Sequence, residues 1–269
     1  MQPIDALIRP RWTVRVEPTV VAEEGLALAI DAGRIVDVLP FAEADRRYSA
    51  RVRHDRPTHA LLPGLVNAHT HAAMSLFRGL ADDLPLDAWL RERIWPAEAR
   101  WIGPDFVADG TRLAIAEMLQ GGITCFSDMY YYPDVTGTVA AEAGVRAGLG
   151  MIALDFPTAW AKDVEEYLRK GLEVHDRFKA APLITTSFAP HAPYSVADTT
   201  LIHVHEAPPE PAAAVAATGR RPLARLAALG LATPALMAVH ATELVADEIE
   251  LLATAGASVV HCPRSNLKL

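Results

Sequence analysis

The stretch LLPGLVNAHTH, residues 61–71, decides the fold of this chain. It is an apolar run rich in strand-forming residues, and it ends in a His-x-His pair, His69 and His71. Side chains two residues apart in a β-strand face the same side. Both imidazoles are therefore predicted to point beyond the end of one strand, where two nitrogen ligands suit a divalent metal such as zinc. At this point the alternative is a strand that simply closes on two polar residues.

Composition and charge exclude several classes of protein. The chain has 269 residues, of which 51% are hydrophobic and 22% are charged, an ordinary balance for a globular protein with a large core. The net charge of −8 argues against a nucleic-acid partner, because nonspecific nucleic-acid binders are normally basic. We see no apolar core of a signal peptide and no run near the roughly 20 apolar residues of a membrane helix.

The cysteines agree with this picture. Cys125 and Cys262 lie in apolar, strand-like segments that are far apart in the sequence. We interpret both as buried free thiols, which suits a reducing compartment. A cytoplasmic protein without a membrane partner is therefore predicted.

Residues 1–60 are predicted to form a separate, all-β region. Segments 7–16 and 26–39 have the composition of short strands. The tetrapeptide Asp31-Ala32-Gly33-Arg34 is typical of a turn between two of these strands.

From residue 61 onward, strand-like and helix-like segments alternate, which argues for a parallel sheet. Seven strands at this spacing favour a (β/α)8 TIM-like barrel over 61–269, with a doubly wound open sheet as the runner-up. No Gly-x-Gly-x-x-Gly motif follows a strand, which weakens a nucleotide-binding fold. The predicted strands are 64–68, 123–127, 146–154, 183–188, 202–204, 237–239 and 257–260, and the clearest helices are 107–119, 136–143 and 161–178.

Two places do not match a complete barrel. The eighth strand and its helix are missing from the carboxyl-terminal part of the pattern. The fourth and fifth strands are separated by residues 189–201, which contain two prolines and cannot supply the packed crossover that parallel neighbours need. We expect that the sequence omits segments of the complete polypeptide, and the alternative is a true deletion.

A low-complexity segment, APPEPAAAVAA at 207–217, follows the fifth strand. Its three prolines argue against a helix that starts before Ala212. Pro222 and Gly230 are predicted to bracket a short helix.

Histidines concentrate near the carboxyl ends of the predicted strands, where barrel active sites lie. His205 alternates with His203 and should face the opposite side of its strand, in a structural or supporting role. His175 is expected on a solvated helix face. The histidines of the strand ends are His69, His71, His191, His203, His240 and His261.

Five motifs in this order resemble the amidohydrolase superfamily, and most closely its branch of 5′-methylthioadenosine/S-adenosylhomocysteine deaminases and related triazine and guanine hydrolases. The resemblance covers residues 61–269, and residues 1–60 resemble the amino-terminal part of that family's small β-sandwich domain. The motifs are PGLVNAHTHAAMSLFRGLADDLPLDAWL, APHAPYS, HVHE, VHATEL and HCPRSNLKL.

The resemblance implies a metal site and a catalytic pair. His69, His71 and His203 would bind one zinc ion per subunit, with Fe²⁺ or Mn²⁺ as alternatives. Glu206 would shuttle a proton and His240 would act beside the metal. The family's aspartate ligand on the eighth strand has no counterpart among these residues.

The resemblance also implies substrate contacts. Glu98 matches a position that holds ribose hydroxyls, although a glutamate at a helix start is the alternative. His191 and Arg146 match positions near the substrate, although Arg146 is equally typical of a surface charge at a strand start. Trp89 and Trp160 would wall an apolar pocket or belong to the core.

The resulting hypothesis is a metal-dependent hydrolytic deaminase of the adenine ring of S-adenosylhomocysteine, 5′-methylthioadenosine or adenosine, which releases ammonia. One alternative keeps the chemistry but acts on guanine, a triazine or another cyclic amidine. Another is a truncated, non-catalytic remnant. Unpaired edges at the first and seventh barrel strands would favour a partner or a homo-oligomer.

Overall fold

A computed structural model describes residues 1–81, 83–192 and 203–266. The chain divides into two compact units, Met1–Gly64 and Leu65–Leu269. The first unit has a small apolar core around Leu7 and Ala29. The second has a large core around Phe126 and Leu149, together with a smaller one around Val204.

The first unit is a five-stranded sheet with one helix. Its first strand pairs antiparallel with the second and third strands and parallel with the fifth. The elements are β1 (Gln2–Arg15), β2 (Val21–Glu24), β3 (Leu26–Asp31), β4 (Arg34–Pro40), α1 (Phe41–Arg47) and β5 (Tyr48–Leu61).

The predicted turn of the first unit is present, because Asp31 of β3 pairs with Arg34 of β4. The expectation of an all-β region was wrong at α1. That helix carries an acidic residue in its first turn and two arginines in its last turn, which suits the helix dipole. It also buries Ala44 completely against the sheet.

Seven strands of the second unit form two parallel sheets, ordered β6-β7-β8-β9 and β10-β11-β12. In both sheets the spatial order follows the chain order, as in a barrel, whereas a doubly wound sheet reverses it at a switch point. The strands, all of which overlap predicted segments, are β6 (Leu65–Thr70), β7 (Ile123–Tyr130), β8 (Arg146–Ala153), β9 (Ile184–Pro190), β10 (His203–Val204), β11 (Met237–His240) and β12 (Ser258–Val260).

Helices connect these strands, and the three clearest predicted helices correspond to α4, α5 and α6. A 3₁₀ turn, Ala72–Phe77, follows β6, and a π-helical turn, Trp89–Ile94, joins α2 to α3. The helices are α2 (Leu86–Ala88), α3 (Trp95–Trp101), α4 (Pro104–Gln120), α5 (Pro133–Ala143), α6 (Val164–Phe178), α7 (Pro209–Thr218), α8 (Pro222–Ala228), α9 (Ala246–Ala255) and α10 (Pro263–Asn266).

Helix α7 begins at Pro209, so the prediction of no helix before Ala212 was wrong. Pro209 and Pro211 lie in the first turn. Backbone N–H groups have no intrahelical partner there, so a proline loses nothing by lacking one. The early start places Glu210 in the first turn.

Packing of α4 holds the turn that follows β6. A Cβ atom on Gly110 would overlap the backbone of Ala73, so only glycine permits this close approach. Asp128, near the end of β7, accepts a hydrogen bond from the backbone N–H of Ala72 at 2.6 Å. These two contacts fix the chain directly after the His-x-His pair.

Three further expectations can be compared with the structure. The segment expected to lack a crossover helix falls largely on residues 193–202, outside the described residues. Cys125 and Cys262 are free but only half-buried, so the expectation of buried thiols was wrong. Within the described ranges, the helices are too short or too polar to cross a membrane.

Candidate active site

Histidines from four strands of the second unit converge at the carboxyl ends of those strands. His69 belongs to β6, His203 to β10 and His240 to β11, while His71 and His191 directly follow β6 and β9. The ring centroids of His69 and His203 are 4.8 Å apart, those of His203 and His240 are 5.2 Å apart, and those of His191 and His203 are 5.1 Å apart. The sequence prediction of a strand-end histidine cluster is therefore matched by the geometry.

The cluster has the chemistry and spacing of a metal site. His69, His203 and His240 each offer one nitrogen, and these three atoms lie within 4.8 Å of one another. The two Nε2 atoms of His69 and His203 are 3.0 Å apart. Two nitrogens bound tetrahedrally to zinc at about 2.0–2.1 Å would be about 3.3 Å apart. The nitrogens of His69 and His203 thus fit a zinc-sized ion after a shift of a few tenths of an ångström, and the nitrogen of His240 lies within 4.8 Å of both.

Burial keeps these imidazoles neutral, which is the form that binds a metal. Burial, reinforced by the neighbouring histidines, lowers the pKa of His69 to about 2. Burial likewise lowers the pKa of His191 to about 3 and that of His240 to about 4. The same cause lowers the pKa values of His71 and His203.

His71 lies beside the trio of His69, His203 and His240, with its ring centroid 4.9 Å from that of His69. Its Nδ1–H donates to the carbonyl oxygen of Met129 at 2.5 Å. A neutral imidazole with a proton on Nδ1 carries its lone pair on Nε2, and a backbone carbonyl is a common outer partner for a metal-binding histidine. The contact with Met129 therefore leaves the lone pair of His71 on Nε2.

Glu206 lies between β10 and α7, next to the cluster. Its Oε1 is 3.4 Å from Nε2 of His240, and its side chain is 11% exposed. A carboxylate in this position can reach both a water molecule at the cluster and a molecule in the adjoining pocket.

A pocket with a cavity volume of about 80 Å³ adjoins the histidines. His71, His191, His203 and Glu206 line the pocket on one side. Glu98, on helix α3, also belongs to its lining. The apolar lining is Met74, Leu86, Trp89, Leu90, Ile94, Trp95, Met129, Ile152, Leu154 and Phe156.

Glu98 is buried, with 8% of its surface exposed, and two tyrosines hold it. The hydroxyl of Tyr130 donates to Oε1 at 2.7 Å and that of Tyr131 donates to Oε2 at 3.3 Å. Burial raises the pKa of the Glu98 carboxyl to about 7, although both hydroxyls partly oppose the rise. Burial also raises the pKa values of both tyrosines, so each remains a donor at neutral pH.

The structure does not bring Arg146 to the pocket, and this part of the prediction is corrected. Arg146 is the exposed first residue of β8, while the pocket lies beyond the last residues of the strand. Seven steps of about 3.3 Å separate the strand's ends by about 23 Å. Trp89 lines the pocket, whereas Trp160 is a core residue with 5% exposure.

Several residues of the site were missed by the sequence analysis. Tyr130 and Tyr131 lie a few residues beyond the predicted strand 123–127, and the run of three tyrosines there was a usable signal. Asp128 is buried, and burial raises the pKa of its carboxyl to about 7. Glu210 was hidden in a segment that was read as low-complexity.

Comparisons with known proteins place the chain in a family. The protein-family model described as "Amidohydrolase family" matches residues 60–269 of this chain. The chain belongs to the amidohydrolase family. A (β/α) barrel with a small amino-terminal β domain, predicted from the sequence, is therefore confirmed as its fold class.

This amidohydrolase resembles proteins named 5-methylthioadenosine/S-adenosylhomocysteine deaminase. It is 47% identical to the one from Saccharophagus degradans, over 99% of this chain and 63% of the relative. It is 45% identical to the one from Teredinibacter turnerae, over 99% of this chain and 64% of the relative. The chain thus spans less than two thirds of these relatives. The first alignment runs over 282 residues, more than the 269 of this chain, so the relative has internal residues without a counterpart here.

Solved structures agree with the family. The crystal structure of an adenosine deaminase from Xanthomonas campestris with bound zinc is 50% identical, covers 100% of this chain and 64% of its own, and has a TM-score of 0.97. A triazine hydrolase from Arthrobacter aurescens is 20% identical, covers 98% of this chain and 66% of its own, and has a TM-score of 0.89. At that identity the second likeness concerns the fold alone.

Proposed function

We propose that this amidohydrolase is a metal-dependent hydrolytic deaminase of the adenine ring in S-adenosylhomocysteine, 5′-methylthioadenosine or adenosine. The exocyclic amino group would be replaced by oxygen, with release of ammonia. The observation that carries the proposal is a single pocket that combines His71, His191 and His203 with Glu206 and the buried Glu98. The names of the relatives from Saccharophagus and Xanthomonas support this substrate class.

In this proposal His69, His71 and His203 hold one ion per subunit, and His240 lies beside it. A divalent ion there would lower the pKa of a bound water to around 7 and so supply a nucleophile at neutral pH. The lowered pKa values of the histidines favour binding, because no proton has to be displaced from them. Zinc is the proposed metal, since zinc is bound in the Xanthomonas structure, and Fe²⁺ and Mn²⁺ are the alternatives.

Glu206 would move the proton. Its carboxylate would accept a proton from the attacking water and deliver it to a ring nitrogen of the adenine. The second proton of that water would then pass to the amino group, which leaves as ammonia. His240, whose Nε2 lies 3.4 Å from Oε1 of Glu206, would hydrogen-bond to the attacking water and orient it towards the amino-bearing carbon. Both residues flank the imidazole end of the pocket.

Glu98 would recognise the ribose. Two carboxylate oxygens can accept hydrogen bonds from two neighbouring hydroxyls, and the two tyrosines hold the carboxylate in place for this. His191 lines the pocket between the imidazole cluster and β8 and would contact the base. Trp89 and Trp95 belong to the apolar lining that would exclude water.

The test is a spectroscopic assay of the purified, zinc-loaded protein. Deamination changes the ultraviolet absorbance of the adenine ring, so S-adenosylhomocysteine, 5′-methylthioadenosine and adenosine are each expected to lose their original spectrum and release one ammonia per molecule. Turnover of guanine or a triazine with none of the three nucleosides would contradict the substrate. Stoichiometric metal without any turnover would favour a non-catalytic protein.

We also propose the remaining organisation. Residues 1–60 would form the amino-terminal part of a small β-sandwich domain and residues 61–269 the metal-dependent hydrolase barrel. A cytoplasmic location is supported by two free cysteines, and the acidic net charge disfavours a nucleic-acid partner. Exposed apolar residues on strand β6, Leu65 and Val66, support a homo-oligomer, which light scattering would test.

A further inference from the structure

The peptide that joins His205 to Glu206 is held by polar contacts on both sides. Oε1 of Glu210 accepts the backbone N–H of His205 at 2.9 Å, and Oε2 accepts the N–H of Glu206 at 2.8 Å. The hydroxyl of Thr242 donates to the backbone carbonyl oxygen of His205 at 2.7 Å. The same hydroxyl lies 3.2 Å from the backbone carbonyl oxygen of Glu206. The backbone N–H of Thr242 also donates to the His205 carbonyl, at 3.0 Å.

These contacts surround a strained residue. His205 has a φ of 58°, in the left-handed region that few residues other than glycine adopt. Such a conformation persists only where the surroundings impose it. The imidazole of His205 is turned away from the histidine cluster, with Nδ1 3.0 Å from the carbonyl oxygen of Glu243. The strain therefore belongs to the backbone that carries Glu206.

Glu210 is an unusual residue to find buried in a first helical turn. Only 9% of its surface is exposed, and both of its oxygens are used by two successive backbone N–H groups. A carboxylate that bridges two neighbouring N–H groups sets the direction of the peptide between them. The next side chain along is that of Glu206, whose Oε1 is 3.4 Å from His240.

We propose that Glu210 is a positioning residue for Glu206, and that Glu210 and Thr242 together form a backbone clamp. The clamp holds His205 in its left-handed conformation and thereby keeps the Glu206 carboxylate against His240 at the end of the pocket. This inference rests on the proposed function, in which Glu206 moves the proton. Neither Glu210 nor Thr242 is among the residues that line the pocket, so both would act through Glu206.

The first test compares two variants with matched controls. In Glu210→Gln the amide NH₂ would face a backbone N–H, which breaks one side of the clamp. We expect kcat to fall about 100-fold, the loss typical of an ångström-scale misplacement, with little change in KM. Glu165→Gln, at an exposed position in the first turn of α6, should retain wild-type rates. Thr242→Val should lose about tenfold in kcat, and Thr242→Ser, which keeps the hydroxyl, should restore it.

A double-mutant cycle separates positioning from general stability. If the clamp acts through Glu206, adding Glu210→Gln to Glu206→Gln should cause no further loss of kcat. The proposal would be overturned if Glu210→Gln lowered kcat equally in the wild type and in Glu206→Gln. It would also be overturned if the single variant Glu210→Gln bound less zinc than the wild type. Thermal unfolding of each variant shows whether it is folded, and Thr242→Val at an exposed position serves if Glu210→Gln does not fold.

A second readout does not depend on activity. The crystal structure of Glu210→Gln should show the Glu206 carboxylate displaced from His240, and amide hydrogen exchange at Glu206 should be faster than in the wild type. An unchanged Glu206–His240 distance would overturn the positioning role. If the wild type turns over no nucleoside while Glu206 still moves in the variant, the proposed function fails and the clamp stands.

Discussion

The two ends of the pocket hold their ionisable groups in opposite ways. At the histidine end, burial lowers the pKa values of five imidazoles, to as little as about 2 in His69. At the far end, burial raises the pKa of Glu98 to about 7. In both cases burial favours the neutral form. One cause thus yields lone pairs ready for a cation at one end and a carboxyl poised near neutrality at the other.

The comparison suggests a division of labour. The histidine end contains strand-borne side chains whose mutual distances are set by β6, β10 and β11. The Glu98 end depends on a helical residue held by two tyrosine hydroxyls. We therefore expect changes at the first end to abolish chemistry, and changes at the second end to alter recognition and stability.

The largest effect is expected from His203→Ala. Removing a nitrogen from the centre of the cluster should lower zinc affinity by more than the 10–100-fold that is typical of losing an outer partner, and turnover should be lost with it. Metal analysis after dialysis measures this directly. His175→Ala, on an exposed helix position, is the matched control. Full zinc occupancy in His203→Ala would show that the cluster is not the metal site.

Glu206→Gln should retain zinc but lose its proton-transfer group. The expected decrease in kcat is about 10²–10⁴-fold, the usual contribution of general acid–base catalysis. Steady-state kinetics with the three nucleosides checks it, with Glu250→Gln on exposed α9 positions as the control. A wild-type kcat in Glu206→Gln would show that another residue moves the proton.

Glu98→Gln should affect recognition instead. KM for nucleosides should rise about tenfold to a hundredfold, the range for hydrogen bonds to a charged group, while kcat changes less. The free base adenine lacks ribose, so its kinetics should be the same in both proteins. An equal loss for adenine and adenosine would contradict ribose recognition by Glu98.

The smallest effect concerns stability and pH. Glu98 is protonated up to about pH 7 in the folded protein but only up to about pH 4.5 in the unfolded chain, so its contribution to stability declines as pH rises between these values. The decline is at most about 3 kcal/mol. Relative to the wild type, Glu98→Gln should therefore gain stability between pH 5 and pH 8.

In the metal-free protein, the buried histidines should make stability change with pH in the opposite direction. The buried histidines have folded pKa values below 6.5, so protons bind preferentially to the unfolded chain, and stability should rise with pH until about 6.5. Denaturant unfolding of wild type and Glu98→Gln at several pH values measures both slopes. A constant difference between the two proteins across this range would contradict the raised pKa of Glu98.

Much of the fold could be predicted because it depends on local patterns. Strands rich in apolar residues and helices between them were evident from periodicity, and all seven predicted barrel strands overlap observed ones. Helix α1 was missed because a short helix packed on a sheet resembles a loop in sequence. Helix α7 was misread because prolines in a first turn look like helix breakers.

The candidate site was only partly predictable. Histidines near strand ends identify themselves, because strand ends meet at one rim of a barrel. Arg146 was misplaced because a residue at the start of a strand lies at the opposite rim. Glu210 was overlooked because its importance lies in its contact with the backbone of Glu206. The two tyrosines were overlooked because their importance lies in their contacts with Glu98, which is distant in sequence.

The sequence by itself determined the strand–helix alternation, the His-x-His ending of β6 and the supply of imidazoles at the strand ends. These follow from residue type and spacing, which act over a few residues. Only the tertiary structure decided the pKa values, the tyrosine partners of Glu98 and the left-handed turn before Glu206. Each of these depends on burial and on hydrogen bonds between residues far apart in the chain, such as Glu98 with Tyr130 and His205 with Thr242.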